Sequence, residues 1–244
     1  MPDPGPAVLD RLRRVRGFVL DMDGTLVLGD RNNRGIRPLA GAVDFVRLLV
    51  ERELRFCVFT NGTVKTPRQC ADALQQAGFP IPDDAVLTPA TTAAQIFRRR
   101  GHRRVMVLGG KGVTEPLEAA GIETLPPLRG TTADAVFAGW FRQELTFEAL
   151  EAACFAVFEG ARFYSASQSL FFATAEGRTL GTSRAISAVV RDVTRSRVTV
   201  VGKPALPALQ AAARHLGVPA ADLAVAKPDL RLFVHRRAEG AIRA

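Results

Sequence analysis

Apolar residues run along this chain in two rhythms. Short, near-continuous runs appear as "GFVLD", "RFCVFT", "RVMVLG", "ADAVFAG", "ARFYSAS", "RVTVVG" and "DLAVA". They are rich in Val and Phe and end at Gly or polar residues, which predicts strands. Apolar positions without alternation suit a parallel sheet covered by helices on both faces. Between the runs, apolar residues recur every three or four positions, as in "AGAVDFVRLLVEREL", "TPRQCADALQQAGF", "TFEALEAACFAVFEG", "TSRAISAVVRDVT" and "ALPALQAAARHLGV". Thr66 with Pro67 behind it, and Thr146, have the chemistry of helix N-caps, while Gly78 and Gly160 are helix stops. Strand and helix in alternation predict an α/β fold around a mainly parallel sheet.

Two stretches interrupt the alternation. "FPIPDDAVLTP" (79–89) is rich in Pro and Asp, and "ATAEGRTLGTS" (173–183) is rich in Gly and Thr. Read as crossings, they set off residues 83–179 as an inserted domain and join 1–82 to 180–244 in one discontinuous core. A length of 244 residues with 47% hydrophobic content can fill such an arrangement.

Composition narrows the function classes. No apolar run reaches the roughly 18–20 residues of a membrane span, and "MPDPGPAVLDRLRRVRG" lacks the apolar centre of a signal peptide. The expectation is a cytoplasmic protein without membrane partners. Cys57, Cys70 and Cys154 match no zinc or redox spacing. The net charge of +9 comes from scattered arginines, with lysine only at 65, 111, 203 and 227. Without a basic tract interleaved with aromatics, no nucleic-acid partner is expected; a positive field equally attracts a small anionic ester. His102, His215 and His235 show no ligand spacing.

Three polar signals sit just after apolar strands: Asp21 and Asp23 in "FVLDMDGTL", Thr60 and Asn61 in "FTNGT", and Lys203 in "VVGKP". Ligands of open α/β sheets gather beyond the carboxyl ends of strands, and one parallel sheet would bring all three signals to one edge. Two close carboxylates repel, and a hard cation such as Mg²⁺ relieves them. In that setting Asp21 can attack phosphorus, Asp23 can move a proton, Gly24 permits a tight turn, Thr60 and nearby N–H groups can hold phosphoryl oxygens, and Lys203 can balance charge.

"DMDGTL", "FTNGT" and "GKP", in that order, resemble the first three motifs of the haloacid dehalogenase-like hydrolase superfamily. The closest pattern is its NagD-like, 4-nitrophenylphosphatase-like branch, and "RPLAGAVDFVRLLVERELRFCVFTNG" and "GTSRAISAVV" extend the likeness over most of the chain. The resemblance implies a Rossmann-like doubly wound core with an inserted α/β cap and Mg²⁺-dependent hydrolysis of phosphate monoesters. It implies Asp21 as nucleophile and metal ligand, Asp23 as acid/base and, through its backbone carbonyl, metal ligand, and Lys203 as the charge-balancing lysine. Thr60, Asn61 and Gly62 become phosphate binders. The substrate is a small phosphorylated metabolite, such as a sugar, glycerol or nucleotide phosphate, and a homodimer through the cap is left open.

The sequence departs from the family at two places. The acidic pair expected before "PDLRL" is replaced by Ala226 and Lys227, which leaves Asp229 as the third candidate metal ligand. The cap stretch facing substrate, usually "TNxD", reads "SASQS" (165–169), so Ser165, Ser167 and Gln168 become candidate substrate contacts. The alternative these changes raise is a weakened or inactive relative that binds a phosphorylated ligand or a partner protein.

Overall fold

A computed structural model describes residues 14–29, 35–174, 177–226 and 233–234. Lys227, Asp229 and His235 lie outside the described residues, and so do the expectations placed on them. The chain starts on β1 (Gly17–Asp21), turns through a small antiparallel pair, β2 (Val27–Gly29) and β3 (Ile36–Pro38), and enters helix α1 (Ala42–Glu51). β4 (Phe56–Phe59), α2 (Pro67–Gln76) and β5 (Val86–Leu87) follow. After a long excursion the chain returns through α7 (Leu206–Leu216), β13 (Leu223–Ala226) and β14 (Phe233–Val234). These strands form a first sheet in the order β14-β13-β1-β4-β5, parallel except for β14.

The excursion builds a second sheet. It contains α3 (Pro89–Arg100), β6 (Arg104–Leu108), α4 (Lys111–Glu118), β7 (Glu123–Leu125), β8 (Ala135–Ala138), α5 (Phe147–Phe158) and β9 (Arg162–Ser165). A hairpin of β10 (Phe171–Thr174) and β11 (Gly177–Leu180) then leads to α6 (Thr182–Thr194) and β12 (Val198–Val200). The order is β12-β9-β8-β6-β7, with every pairing parallel.

Both sheets are covered on two faces, and residue alternation along the strands explains how. In β1, Leu20 packs with Val46 and Leu49 of α1 and Leu74 of α2, while Val19 packs with Ala208 and Ala212 of α7. In β6, Val105 and Val107 face Phe97 and Leu117 of α3 and α4, while Met106 and Leu108 face Ala153 and Ile186 of α5 and α6. Successive side chains point to opposite faces of a strand, so a continuous apolar run fills two cores at once.

Local chemistry sets the helix starts. Thr66 and Thr88 each close a capping box, with Pro67 and Pro89 next in line. Thr146 accepts the Ala149 N–H at the start of α5. The expected hinge at 79–89 therefore holds both β5 and the cap of α3, and the Gly/Thr-rich stretch holds the β10–β11 hairpin. β12 pairs with β9, so the chain leaves the second sheet after Val200, where the sequence reading set the return at residue 180. The same pairing corrects the picture of a single sheet edge: Lys203 arrives from the second sheet, because the apolar run "RVTVV" is equally suited to either. Among the described residues no helix is long and apolar enough to cross a membrane.

Candidate active site

The C-terminal ends of the two sheets face each other. Gly112, in the first turn of α4 just beyond β6, packs its backbone on the carbonyls of Thr63 and Lys65. Beyond β8, the Trp140 N–H donates to Thr63 Oγ1 at 2.8 Å. Beyond β9 and β12, Gly202 lies against the Ala166 carbonyl and Asn61, where a Cβ would collide with the former and stand 2.6 Å from Asn61 Oδ1. Only glycine lets these edges approach so closely.

The candidate side chains stand at this seam. Asp21 ends β1, in register with Phe59 of β4. Asp23 follows in a turn that Gly24 makes possible, with φ of 78° and its N–H donated to Val27 O at 2.8 Å. Lys203 Nζ donates to Asp21 Oδ1 at 2.6 Å, its side chain only 8% exposed against 22% for Asp21. Lys203 Nζ also donates to the Phe59 carbonyl. Thr60 Oγ1 donates to Asp23 Oδ2 at 2.9 Å and accepts the Gly62 N–H at 2.9 Å.

Asn61 spends its side chain on the main chain of Lys203. Its Oδ1 accepts the Lys203 N–H at 2.8 Å and its Nδ2 donates to the Lys203 carbonyl at 2.9 Å. An amide paired through both its oxygen and its nitrogen to one residue's main chain sets the position of that residue, here Lys203. The Gly62 N–H is likewise engaged within the loop.

Asp23 is open to solvent by surface area, yet protein atoms crowd its carboxyl. That desolvation pushes its pKa above the ordinary value. The Thr60 hydrogen bond pulls the other way, the Asp21 charge adds to the rise, and Lys203 and Lys65 oppose it. Lys65 escaped the sequence reading; its only signal there was a lysine, rare in this chain, four residues after Asn61.

Ser165, Ser167 and Gln168 turn inward. Gln168 Nε2 donates to Ser165 Oγ at 3.1 Å and to the Ser167 carbonyl at 3.2 Å. Ser167 Oγ donates to Ser169 Oγ at 3.0 Å, and Ser183 Oγ donates to the Ser167 carbonyl at 3.1 Å. The remaining acceptor of Gln168, Oε1, takes a hydrogen bond of 2.7 Å from Arg184 Nη1. This Gln168–Arg184 link, sixteen residues apart on the hairpin approach and on α6, is invisible in the sequence.

The cation question turns on the donor set. Asp21 and Asp23 offer hard oxygen ligands, which suits Mg²⁺, an ion that commonly takes one or two carboxylates plus water and phosphate oxygens. At the end of β13 the residue beside Leu20 is Ala226, and among the described residues no three acidic, His or Cys side chains cluster as a metal site. Among the described residues the set therefore fits a magnesium ion taken by the Asp21 carboxylate and the main-chain carbonyl of Asp23, which leaves the Asp23 carboxyl free to carry a proton.

Comparison with known proteins bears on this geometry. A family model described as haloacid dehalogenase-like hydrolase matches residues 18–123. A 5'-nucleotidase of Bacillus subtilis, YutF, is 28% identical over 207 residues, which are 84% of this chain and 76% of that protein. An acid sugar phosphatase of Staphylococcus haemolyticus is 28% identical over 194 residues, 79% of this chain and 70% of its own. The crystal structure of a 4-nitrophenylphosphatase from Thermotoga maritima superposes with a TM-score of 0.76 at 27% identity, covering 88% of this chain and 78% of that one.

Proposed function

We infer the chemistry from one premise: the chain belongs to the haloacid dehalogenase-like hydrolases, in their NagD-like, 4-nitrophenylphosphatase-like branch. It is a phosphoric monoester hydrolase, and its substrate is a small phosphorylated metabolite bound at the seam between core and cap. The cap runs from α3 through β12 in this reading. The observation that carries the proposal is Lys203 Nζ on the Asp21 carboxylate, delivered from the opposite sheet.

An Asp21 oxygen attacks phosphorus as the ester P–O bond breaks, leaving an aspartyl-phosphate. Lys203 neutralises charge on the nucleophile and the phosphoryl group and fixes the carboxylate for attack. Asp23, with its raised pKa, is suited to carry the proton given to the departing oxygen and then to take one from the attacking water. Thr60 links the two events. Handing its hydroxyl hydrogen from Asp23 to a phosphoryl oxygen strips Asp23 of the strongest influence lowering its pKa, which favours the acid form. Asp21 and Asp23 would hold Mg²⁺, which when bound supplies further neutralisation of phosphoryl charge.

The test is phosphate release from 4-nitrophenyl phosphate with Mg²⁺. Wild-type protein working no faster than an Asp21→Asn control overturns the catalytic reading. A second reading, binding without turnover, is favoured by Ala226 beside Leu20, a position that supplies no carboxylate. Calorimetric binding of a phosphate ester that needs no Mg²⁺, in protein without turnover, would support it.

A further inference from the structure

Arg184 stands in the first turn of α6, where the helix dipole disfavours a cation. No side chain caps this helix start at Gly181. Among the described residues no carboxylate pairs with Arg184. Its hydrogen-bond partner is a neutral amide, Gln168 Oε1, and Gln168 is itself fixed by Ser165 and Ser167. A half-buried guanidinium held rigidly, at a helix start that attracts anions, breaks local electrostatic preference without a compensating charge among the described residues.

Its place explains the exception. Gln168 follows Ala166 by two residues, and the Ala166 carbonyl rests on Gly202, next to the lysine bonded to Asp21. The braced arginine thus belongs to the cap edge that faces the catalytic carboxylate. We propose that Arg184, presented by Gln168, recognises a second anionic group on the substrate, so that the preferred substrates are phosphate monoesters bearing a carboxylate or a further phosphate on the leaving group. The proposal rests on the phosphatase reading for what occupies the seam. The planar guanidinium can offer a carboxylate two parallel N–H donors while one nitrogen stays on Gln168.

The test compares 3-phosphoglycerate with glycerol 3-phosphate, two esters that differ in a carboxylate against a hydroxymethyl group. Affinities are measured by calorimetry on Asp21→Asn protein, and kcat/KM on protein with Asp21 intact, each with Arg184, Arg184→Ala and Arg184→Lys. The expected preference for the carboxylate ester is about tenfold to a hundredfold. It should collapse towards one in Arg184→Ala and survive in part in Arg184→Lys. A residue that only braces the cap would weaken both esters alike and leave their ratio unchanged, which would overturn the proposal. Equal use of the two esters by an active wild-type enzyme would overturn it while leaving the phosphatase reading intact. Neither binding nor hydrolysis of either ester by protein that releases phosphate from 4-nitrophenyl phosphate would overturn the proposal alone, and loss of that release as well would overturn the phosphatase reading with it.

Discussion

The two sheets are built alike and end differently. Each is parallel in its centre, covered by helices on both faces, and directed so that its strand ends meet the other's. The first sheet places reactive groups at its edge: Asp21, Asp23 and Thr60. The second places small residues and backbone there, at Gly109–Gly110, Gly139, Ala166 and Gly202, and adds one decisive charge through Lys203. One edge supplies chemistry and the other supplies fit. Catalysis on a small ester needs both, because a charge-balancing group works only at close range.

The sharpest way to break this division is at the one place where it is crossed. Asp21→Asn removes the proposed nucleophile and should lower phosphate release by about 10⁴-fold or more. Lys203→Ala should cost about 10²–10³-fold in kcat, and it also leaves Asp21 without its cation. The pair is only partly shielded, so the stability loss should fall near the lower end of the roughly 3–5 kcal/mol seen for buried pairs. Urea unfolding read alongside turnover separates the two effects. If Lys203→Ala retained full activity, the second sheet would carry no part of the chemistry.

Fit should be breakable without touching a charge. Gly202→Ala drives a methyl group into the Ala166 carbonyl and Asn61, and overpacking of this kind costs about 1–3 kcal/mol. Because Lys203 is the next residue, kcat should fall more than KM rises. Asn61→Ala removes two hydrogen bonds from the Lys203 backbone, with a stability loss of about 1–3 kcal/mol and the same kinetic signature. A rise in KM alone for Asn61→Ala would instead place its side chain on the substrate.

The sequence made the strands and their reactive ends readable because each is a local pattern: an apolar run, then a polar group. The seven predicted strands all appear. Several smaller elements escaped for physical reasons. β5 has two residues and no period to detect. Helix α3 opens on "PATTAA", where threonines and alanines blur the apolar stripe although most of them are buried. Sheet membership escaped too, since a run such as "RVTVV" reports burial on two faces and not the identity of its neighbours. At the site, positions 21, 23, 60 and 203 were legible as types in order, and the structure brings them together. The uses made of Asn61 and Gln168 were not legible. Both depend on partners 142 and 16 residues away, and a side-chain amide reads identically whether it holds a ligand or a backbone.

The smallest expected effect lies at the opposite end of the second sheet, where an acid does structural work. Asp134, just before β8, accepts the Arg103 and Arg104 N–H groups on one oxygen, at 2.7 and 2.9 Å. The Arg104 and Arg103 bonds hold its pKa below the ordinary carboxylate value, with His102 and the Arg104 charge adding to them against some desolvation. A carboxylate whose pKa is lowered on folding binds fewer protons in the native than in the unfolded state. Its contribution is complete above the unfolded value near 3.8 and fades as pH falls through the lower native one. Asp134→Asn should therefore lower Tm by about 1–3 °C at pH 7 and by progressively less below pH 4. Phosphate release at pH 7 should stay at the wild-type rate, because the carboxylate braces the N-terminal edge of the cap sheet, away from the seam. Thermal melts across pH 3–7, paired with turnover at pH 7, check both halves. A large loss of activity with an unchanged Tm would mean that the two ends of this sheet are not separable into a structural and a functional edge.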